Sequence, residues 1–229
     1  MIAIVPARGG SKGLSRKNLR LLAGKPLIVH TLECALASRT ISRVVVSTDD
    51  EEIAHVARAV SGVDVPFVRP SALSGDNASA VDVYLHAASE LSSKSSPVGM
   101  LCALLPTAPL RQPADIDACI GLFRQKGAAV VLSVVAAKPA EWHQAMAQTG
   151  QLSSFDGVSA SVDNRQGYDQ RVIPNGAVYV LDIKALTATR TYFGPRTFGY
   201  EMPGSRSIDI DNDDDLIMAE ALLAYRRKN

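Results

Sequence analysis

The chain is poor in the residues that would staple or stack it. Its three cysteines, Cys34, Cys102 and Cys119, are odd in number and scattered through apolar stretches. They lack the spacing of a metal knuckle, so buried free thiols in a reducing compartment are expected. Aromatic residues make up only 5%, too few for an extended base-stacking surface. A formal net charge of +1 gives no basic field, which argues against nucleic acid as a partner. No run approaches the roughly 20 apolar residues of a membrane span. The opening Met1-Ile2-Ala3-Ile4-Val5 has neither a basic leader nor a signal-length apolar core, so a cytoplasmic protein with no membrane partner is expected. His30, His55 and His86 fall on separate expected helices and show no metal-ligand spacing.

What is present is an ordinary globular balance, 47% hydrophobic and 21% charged over 229 residues, enough for one large domain. Short apolar runs alternate with helical patterns. Strands are expected over Ile2–Val5, Arg43–Ser47, Val65–Val68, Gly99–Leu105, Ala128–Val135 and Asn175–Leu181. Helices are expected over Pro26–Ala37, Asp50–Val60, Ala78–Leu91, Ala114–Gln125 and Leu216–Arg226. The strands are continuously apolar, as strands covered on both faces must be. The pattern predicts a Rossmann-like three-layer α/β fold with a mostly parallel sheet. The rhythm breaks after Ala136. Lys138–Arg171 is polar, weakly periodic and too long for a bare loop in a compact domain. A hairpin or arm that reaches over the site or onto a partner subunit is expected there.

Two groups of residues carry chemistry. Directly after the first strand comes Pro6-Ala7-Arg8-Gly9-Gly10-Ser11-Lys12-Gly13, then Arg16, Lys17 and Asn18. Three glycines in five residues let backbone N–H groups approach an anion. In an open α/β sheet ligands bind beyond the carboxyl ends of strands, where this loop sits. Arg8, Lys12, Arg16 and Lys17 offer the charge a polyphosphate needs. The loop matches neither G-x-x-x-x-G-K-[ST] nor G-x-G-x-x-G, so neither of those nucleotide loops is present. The second group is Asp209 and Asp211, one residue apart in an extended segment, which puts both carboxylates on one face. By residue type alone such a pair is more often a helix cap or solvated charge than a metal site. Asp213, Asp214 and Asp215 read as helix N-terminal charge, and Asp49 and Asp50 as caps.

Taken together, these motifs resemble those of the acylneuraminate cytidylyltransferases, the CMP-sialic acid synthetases. Ala7-Arg8-Gly9-Gly10-Ser11-Lys12-Gly13 with Lys17-Asn18 is similar to the family's opening loop. Val45-Val46-Ser47-Thr48-Asp49-Asp50, Arg69-Pro70, Leu105-Pro106-Thr107-Ala108-Pro109-Leu110-Arg111, Arg165-Gln166, Pro174-Asn175-Gly176-Ala177-Val178-Tyr179 and Ser207-Ile208-Asp209-Ile210-Asp211 follow in family order, across nearly the whole chain. The resemblance implies a nucleotide-diphospho-sugar transferase fold in a single domain, 1–229, with an arm and sugar-pocket region over about 138–171 and 186–200. It implies transfer of CMP from CTP to a sialic-acid-like nonulosonic acid. Arg8, Lys17 and Asp211 would be catalytic. Ala7, Arg8, Gly9, Gly10, Ser11, Asn18, Arg69, Ala78 and Ser79 would hold the nucleotide. Leu105, Arg165, Asn175, Tyr179, Tyr192 and Phe193 would line the sugar pocket, the Tyr192-Phe193 pair reaching across a homodimer interface. Asp209 and Asp211 would hold Mg²⁺, with Mn²⁺ as the alternative.

Two departures from the family pattern stand out. Leu105 replaces a glutamine that commonly contacts the sugar, and Lys138, Trp142 and His143 occupy a region where a basic residue is usual. Both point to a changed substituent on the sugar. N-acetylneuraminate, legionaminate and a deaminated nonulosonate rank above pseudaminate, whose enzymes usually lack the Asn-Gly-Ala stretch. The rival readings are a CMP-Kdo-type synthetase, whose loop usually lacks Gly-Gly-Ser-Lys-Gly, and a catalytically silent nucleotide-binding or assembly module of the same fold.

Overall fold

The computed structural model describes residues 1–10, 13–138, 143–154 and 171–228. From the N-terminus the chain forms β1 (Ile2–Pro6), a small hairpin of β2 (Leu21–Leu22) and β3 (Lys25–Pro26), α1 (Leu27–Leu36), β4 (Arg43–Ser47), α2 (Glu51–Arg58) and β5 (Val63–Asp64). There follow α3 (Ala80–Leu91), β6 (Met100–Ala103), α4 (Pro113–Lys126), β7 (Val130–Ala137) and a hairpin of β8 (Gln144–Met146) and β9 (Leu152–Ser154). The chain ends with β10 (Arg171–Asp182), α5 (Ile183–Thr189), β11 (Thr197–Glu201) and α6 (Asp213–Lys228).

Seven strands make one sheet in the order β11-β7-β10-β6-β1-β4-β5. Within it every pairing is parallel except the two made by β10. The expected Rossmann-like, mostly parallel α/β sheet is therefore the observed one. Its central strands are buried throughout: Ala3, Ile4, Val5, Val44, Val45, Val46, Leu101 and Cys102 are at most 1% exposed. Alternate residues of each strand feed opposite faces. Ala3, Val5, Val44 and Val46 pack with α1 and α4 residues, whereas Ile4, Val45, Leu101 and Ala103 pack with α3.

Local chemistry sets the helix ends. Asp50 caps α2 by accepting from the Ile53 N–H at 2.9 Å. Gln112 and Asp115 form a capping box at the start of α4, Pro113 fills its first turn, and Gly127 closes it at φ 55°. All three cysteines are free thiols. Burial pushes Cys34 up to about 11 and Cys102 up to about 12, which makes them poor nucleophiles.

The structure differs from the expected elements in informative places. The third strand lies at Val63–Asp64 and is followed by a lone bridge between Thr48 and Val68, so the expected Val65–Val68 strand is displaced. Strand β10 begins at Arg171, ahead of the expected Asn175: Arg171–Pro174 are exposed and do not read as core. The bend in β10 falls at Asn175-Gly176: from Pro174 to Tyr179 it advances five residues while β7 advances two, Val134 to Leu132. The β8–β9 hairpin lies inside the polar excursion where a hairpin or arm was expected.

Candidate active site

Strand β1 sits between β4 and β6, and the chain leaves it first toward β4 and later returns on the β6 side. Their carboxyl ends open a crevice at this switch point. A cavity of about 330 Å³ occupies it, with Arg8, Lys17, Asn18, Arg69, Ala78 and Leu105 among its walls. Six residues expected to meet nucleotide or sugar thus share one cavity. Tyr84, from the first half of α3, forms part of its floor.

The glycine loop is positioned from outside. Asp49 Oδ1 accepts the Gly9 N–H at 3.3 Å and also faces the Arg69 guanidinium at 3.3 Å. Asp49 is therefore a loop anchor, not the helix cap the sequence pattern predicts; Asp50 alone caps α2. Asn18, 6% exposed, donates to the Arg8 carbonyl at 2.9 Å. Arg8 reaches Asp76 across the cavity mouth at 3.0 Å. Arg69 is buried, and loss of solvent pulls its pKa down from the usual arginine value. Ala7 gives its N–H to the Ser47 carbonyl at 3.0 Å, so any contact it makes to a base runs through its own carbonyl. Ser79 caps α3, accepting from the Val81 N–H at 3.2 Å. Arg16, expected among the phosphate cations, turns away to Asp50 at 2.5 Å and to Glu52. It adopts φ 53°, a left-handed conformation that this clamp holds. Ser11 and Arg165 lie outside the described residues.

The aspartate segment meets the loop on the other side. Ile210 is fully buried among Leu14, Leu22, Leu27 and Leu110, and its N–H donates to the Thr107 carbonyl at 2.7 Å. With Ile210 facing inward in this irregular segment, Asp211 points to Lys17, a residue of the cavity wall, and Asp209 lies beside Gly176. Asp211 Oδ1 lies 2.9 Å from Lys17 Nζ. The Asp209 side chain keeps an open edge, yet its carboxyl is raised above the usual aspartate value, mainly by solvent lost around it and further by neighbouring Asp211; Thr107 and Lys17 oppose the shift. Among the described residues no three acidic, histidine or cysteine side chains converge as a metal cage. Two hard carboxylates without a full cage suit an ion that keeps waters and shares substrate phosphates. Asp213–Asp215 open α6, as expected, with Asn212 and Asp215 capping each other's backbone N–H groups at 3.0 and 3.1 Å.

The expected sugar-side residues divide. Leu105 lines the cavity, and its carbonyl accepts from Arg111, which is buried and also donates to Thr31 Oγ1 at 2.7 Å. Burial lowers the Arg111 pKa to about 10. Tyr179 and Tyr192 meet within the chain in a tilted arrangement, ring centres 5.6 Å apart, and Tyr192 also meets Tyr84 at 6.4 Å. Burial raises all three phenols, so they stay protonated hydroxyls. Phe193 is exposed and lies beside Val130, at the start of β7. That is the end of the sheet opposite the crevice of its own chain.

Asn175 is 3% exposed and turned inward. Its Oδ1 accepts from Ser133 Oγ at 2.6 Å and from the Ala177 N–H at 3.2 Å, and its Nδ2 donates to Ser207 Oγ at 2.8 Å. Next to it, Gly176 has φ 72°, and a Cβ there would lie 3.3 Å from Leu105 and 3.4 Å from Asp209. The bulge of β10 thus braces the cavity wall from behind. Asn175→Ala strands several buried partners and is expected to lower unfolding free energy by about 2–3 kcal/mol, read from urea titrations.

Residues 2–158 match the cytidylyltransferase family. The chain belongs to that family. This cytidylyltransferase is 34% identical over 231 residues to an N-acylneuraminate cytidylyltransferase of Escherichia coli, covering 100% of the chain and 53% of the relative, so it spans about half that protein's length. It is 31% identical to a CMP-N,N'-diacetyllegionaminic acid synthase of Legionella pneumophila, covering 100% of the chain and 98% of the relative. A pseudaminic acid cytidylyltransferase of Campylobacter jejuni is 33% identical, covering 96% of the chain and 95% of the relative. Among solved structures, a CMP:2-keto-3-deoxy-manno-octonic acid synthetase complexed with CTP superposes with a TM-score of 0.71 at 18% identity, covering 98% of each chain. That likeness speaks to the fold alone.

In this cytidylyltransferase's site, Tyr84 and the partners of Asp49 and Asp76 escape a reading of the sequence. The partners of Asp49 and Asp76 lie tens of residues away, and Tyr84 sits on a helix face that reads as ordinary core. Among the described residues no helix is long and apolar enough to cross a membrane.

Proposed function

We propose that the chain transfers CMP from CTP to the anomeric hydroxyl of a 2-keto-3-deoxy nonulosonic acid, releasing pyrophosphate. The observation that carries this reading is the meeting of Lys17, from the glycine-loop side, with Asp211, from the aspartate segment, at the edge of the cavity that Arg8 and Arg69 also line. A triphosphate placed along the loop meets Arg8 and Lys17. Its α-phosphorus then faces the Asp209–Asp211 side. The sugar hydroxyl oxygen forms the new bond to the α-phosphorus while the bond to the bridging oxygen of the β-phosphate breaks; the hydroxyl proton passes to solvent. Arg8 and Lys17 neutralise charge on the departing pyrophosphate. Asp209 and Asp211 are the residues that would hold Mg²⁺, or Mn²⁺ in its place. When bound, such an ion supplies charge to the phosphate oxygens and lowers the pKa of the attacking hydroxyl. Asn18 and Asp49 keep the loop in register. Leu105 presents an apolar edge toward the substrate, which supports a sugar whose substituent there makes no hydrogen bond.

A homodimer is proposed from the apolar residues left open on the arm. Val172 and Ile173 on β10, with Met146 and Leu152 on the β8–β9 hairpin, are all at least 45% exposed. Phe193 would enter a site only from a neighbouring subunit. The cytoplasm is the proposed location, supported by three unpaired thiols. The deciding experiment measures pyrophosphate release from CTP and Mg²⁺ with N-acetylneuraminate, legionaminate, pseudaminate, the deaminated nonulosonate and Kdo, alongside light scattering for the subunit count. The identities to relatives named for three different sugars span only 31–34%, so pseudaminate belongs in the panel despite its lower rank. Release with one nonulosonate is expected. Release with Kdo alone, or with no acid while CTP still binds, counts against the proposal.

A further inference from the structure

The aspartate segment is held by a residue that does not line the cavity. Arg206 closes the short turn Gly204–Arg206, three residues before Asp209. Its Nε and Nη2 donate to the two oxygens of Asp115 at 3.0 and 2.8 Å, a two-pronged pair. Asp115 is 1% exposed. It also receives the Gln112 N–H at 2.8 Å and the Tyr200 hydroxyl at 3.4 Å. One buried carboxylate therefore joins the first turn of α4, strand β11 and the segment that carries Asp209 and Asp211.

The position of this joint gives it leverage. Three residues of chain span at most about 10 Å, so a displacement at Arg206 has little slack in which to dissipate before Asp209. The first turn of α4 also ends the Leu105–Gln112 stretch, whose first three residues line the cavity and whose Thr107 carbonyl receives the Ile210 N–H. Arg226 of α6 reaches the Ser205 and Leu110 carbonyls at 2.6 and 3.1 Å, gripping the same two pieces of chain. Asn175 holds Ser207 from β10. Of these ties, the Arg206–Asp115 pair combines charge, two-point geometry and burial, and a lysine cannot reproduce its fork.

We propose that Arg206, locked onto Asp115, is a positioning residue that sets where the Asp209 and Asp211 carboxylates stand relative to the bound triphosphate. The inference rests on the proposed metal role of those carboxylates. Arg206 touches neither metal nor nucleotide; it acts through the segment it anchors. Groups that orient metal ligands from behind typically change metal affinity by about 10–100-fold when removed.

The test is Mn²⁺ binding in the presence of CTP, followed by the loss of the free-ion electron paramagnetic resonance signal. CTP binding in metal-free buffer is measured separately by calorimetry. Arg206→Met is expected to weaken Mn²⁺ binding at least about tenfold, with metal-free CTP binding changed less than twofold. Arg206→Lys is expected to fall between Met and wild type. If Arg206→Met loses the native circular dichroism spectrum, Arg206→Lys carries the test, with an expected weakening of about threefold or more. Lower melting temperature with unchanged Mn²⁺ affinity would overturn the positioning role alone. A wild-type protein that binds CTP but no Mn²⁺ would remove the metal reading and this proposal with it.

Discussion

Asp211→Asn is expected to do two opposite things: lower turnover at saturating CTP and Mg²⁺ by about 10²–10³-fold, and strengthen CTP binding when no metal is present. The first effect follows from removing one of the two carboxylates proposed to hold the metal ion. The second follows from the ion pair. Lys17 is mostly enclosed and Asp211 mostly open, 17% against 74% exposed, and they sit 2.9 Å apart. A triphosphate that recruits Lys17 must first separate this pair. Asparagine is nearly the same size and carries no charge, so Lys17 is released in advance and a local negative charge is removed from the path of an anion. A residue that merely capped α6 would show neither effect, because the caps there are Asn212 and Asp215. Isothermal titration with a chelator present reads the metal-free affinity, and a pyrophosphate assay reads turnover. Unchanged turnover would remove Asp211 from the metal site. Weakened metal-free binding would mean that Lys17 is not the group the triphosphate recruits.

How much of this was legible without coordinates depends on whether the governing interaction is local. The parallel core was readable because Val44-Val45-Val46 and Leu101-Cys102-Ala103 are buried on both faces, which leaves a continuous apolar run. The cap at Asp50 was readable because a cap binds within its own turn. Strand β11 and helix α5 were not anticipated. The strand, Thr-Phe-Gly-Tyr-Glu, is only partly covered and carries no clean alternation, and the helix is seven residues long with one buried side chain. The site divides in the same way. Its cations and carboxylates stand in motifs, so the family resemblance picked out Arg8, Lys17, Asp209 and Asp211 as a group. What sequence spacing cannot convey is direction. Arg16 and Lys17 are neighbours, yet one clamps α2 and the other faces the cavity. Asn175 and Gly176 belong to one motif, yet the asparagine is an internal brace whose hydrogen-bond partners lie on β7 and in the aspartate segment.

Gly13→Ala is expected to cost about 10²-fold in kcat/KM while leaving the fold intact. A Cβ on Gly13 would stand 2.6 Å from the Asp211 carbonyl oxygen. The obstructing atom is backbone, so no side-chain rotation relieves the contact; either the glycine loop or the aspartate segment must move. The segment has little freedom, because Ile210 is buried and hydrogen-bonded to Thr107. The loop is gripped at Gly9 too: a Cβ there would collide with Asp50 Oδ2, and Asp50 is held by Arg16 and the Ile53 N–H. The glycines thus let the phosphate side and the carboxylate side of the crevice touch, and a shift of about 1 Å between such groups is enough for a hundredfold loss. Gly10 supplies the control: its expected part in holding the nucleotide runs through its backbone N–H, which alanine keeps, and its φ is not positive. Among the described residues a Cβ there meets nothing within 4 Å, so Gly10→Ala is expected to stay within about threefold of wild type. Steady-state kinetics on both variants, with circular dichroism to confirm folding, decides the matter. If Gly13→Ala and Gly10→Ala prove equally active, the close approach of the loop to Asp211 is not what catalysis requires. If both fail equally, the loop needs its glycines for backbone approach to phosphate rather than for contact with the aspartate segment.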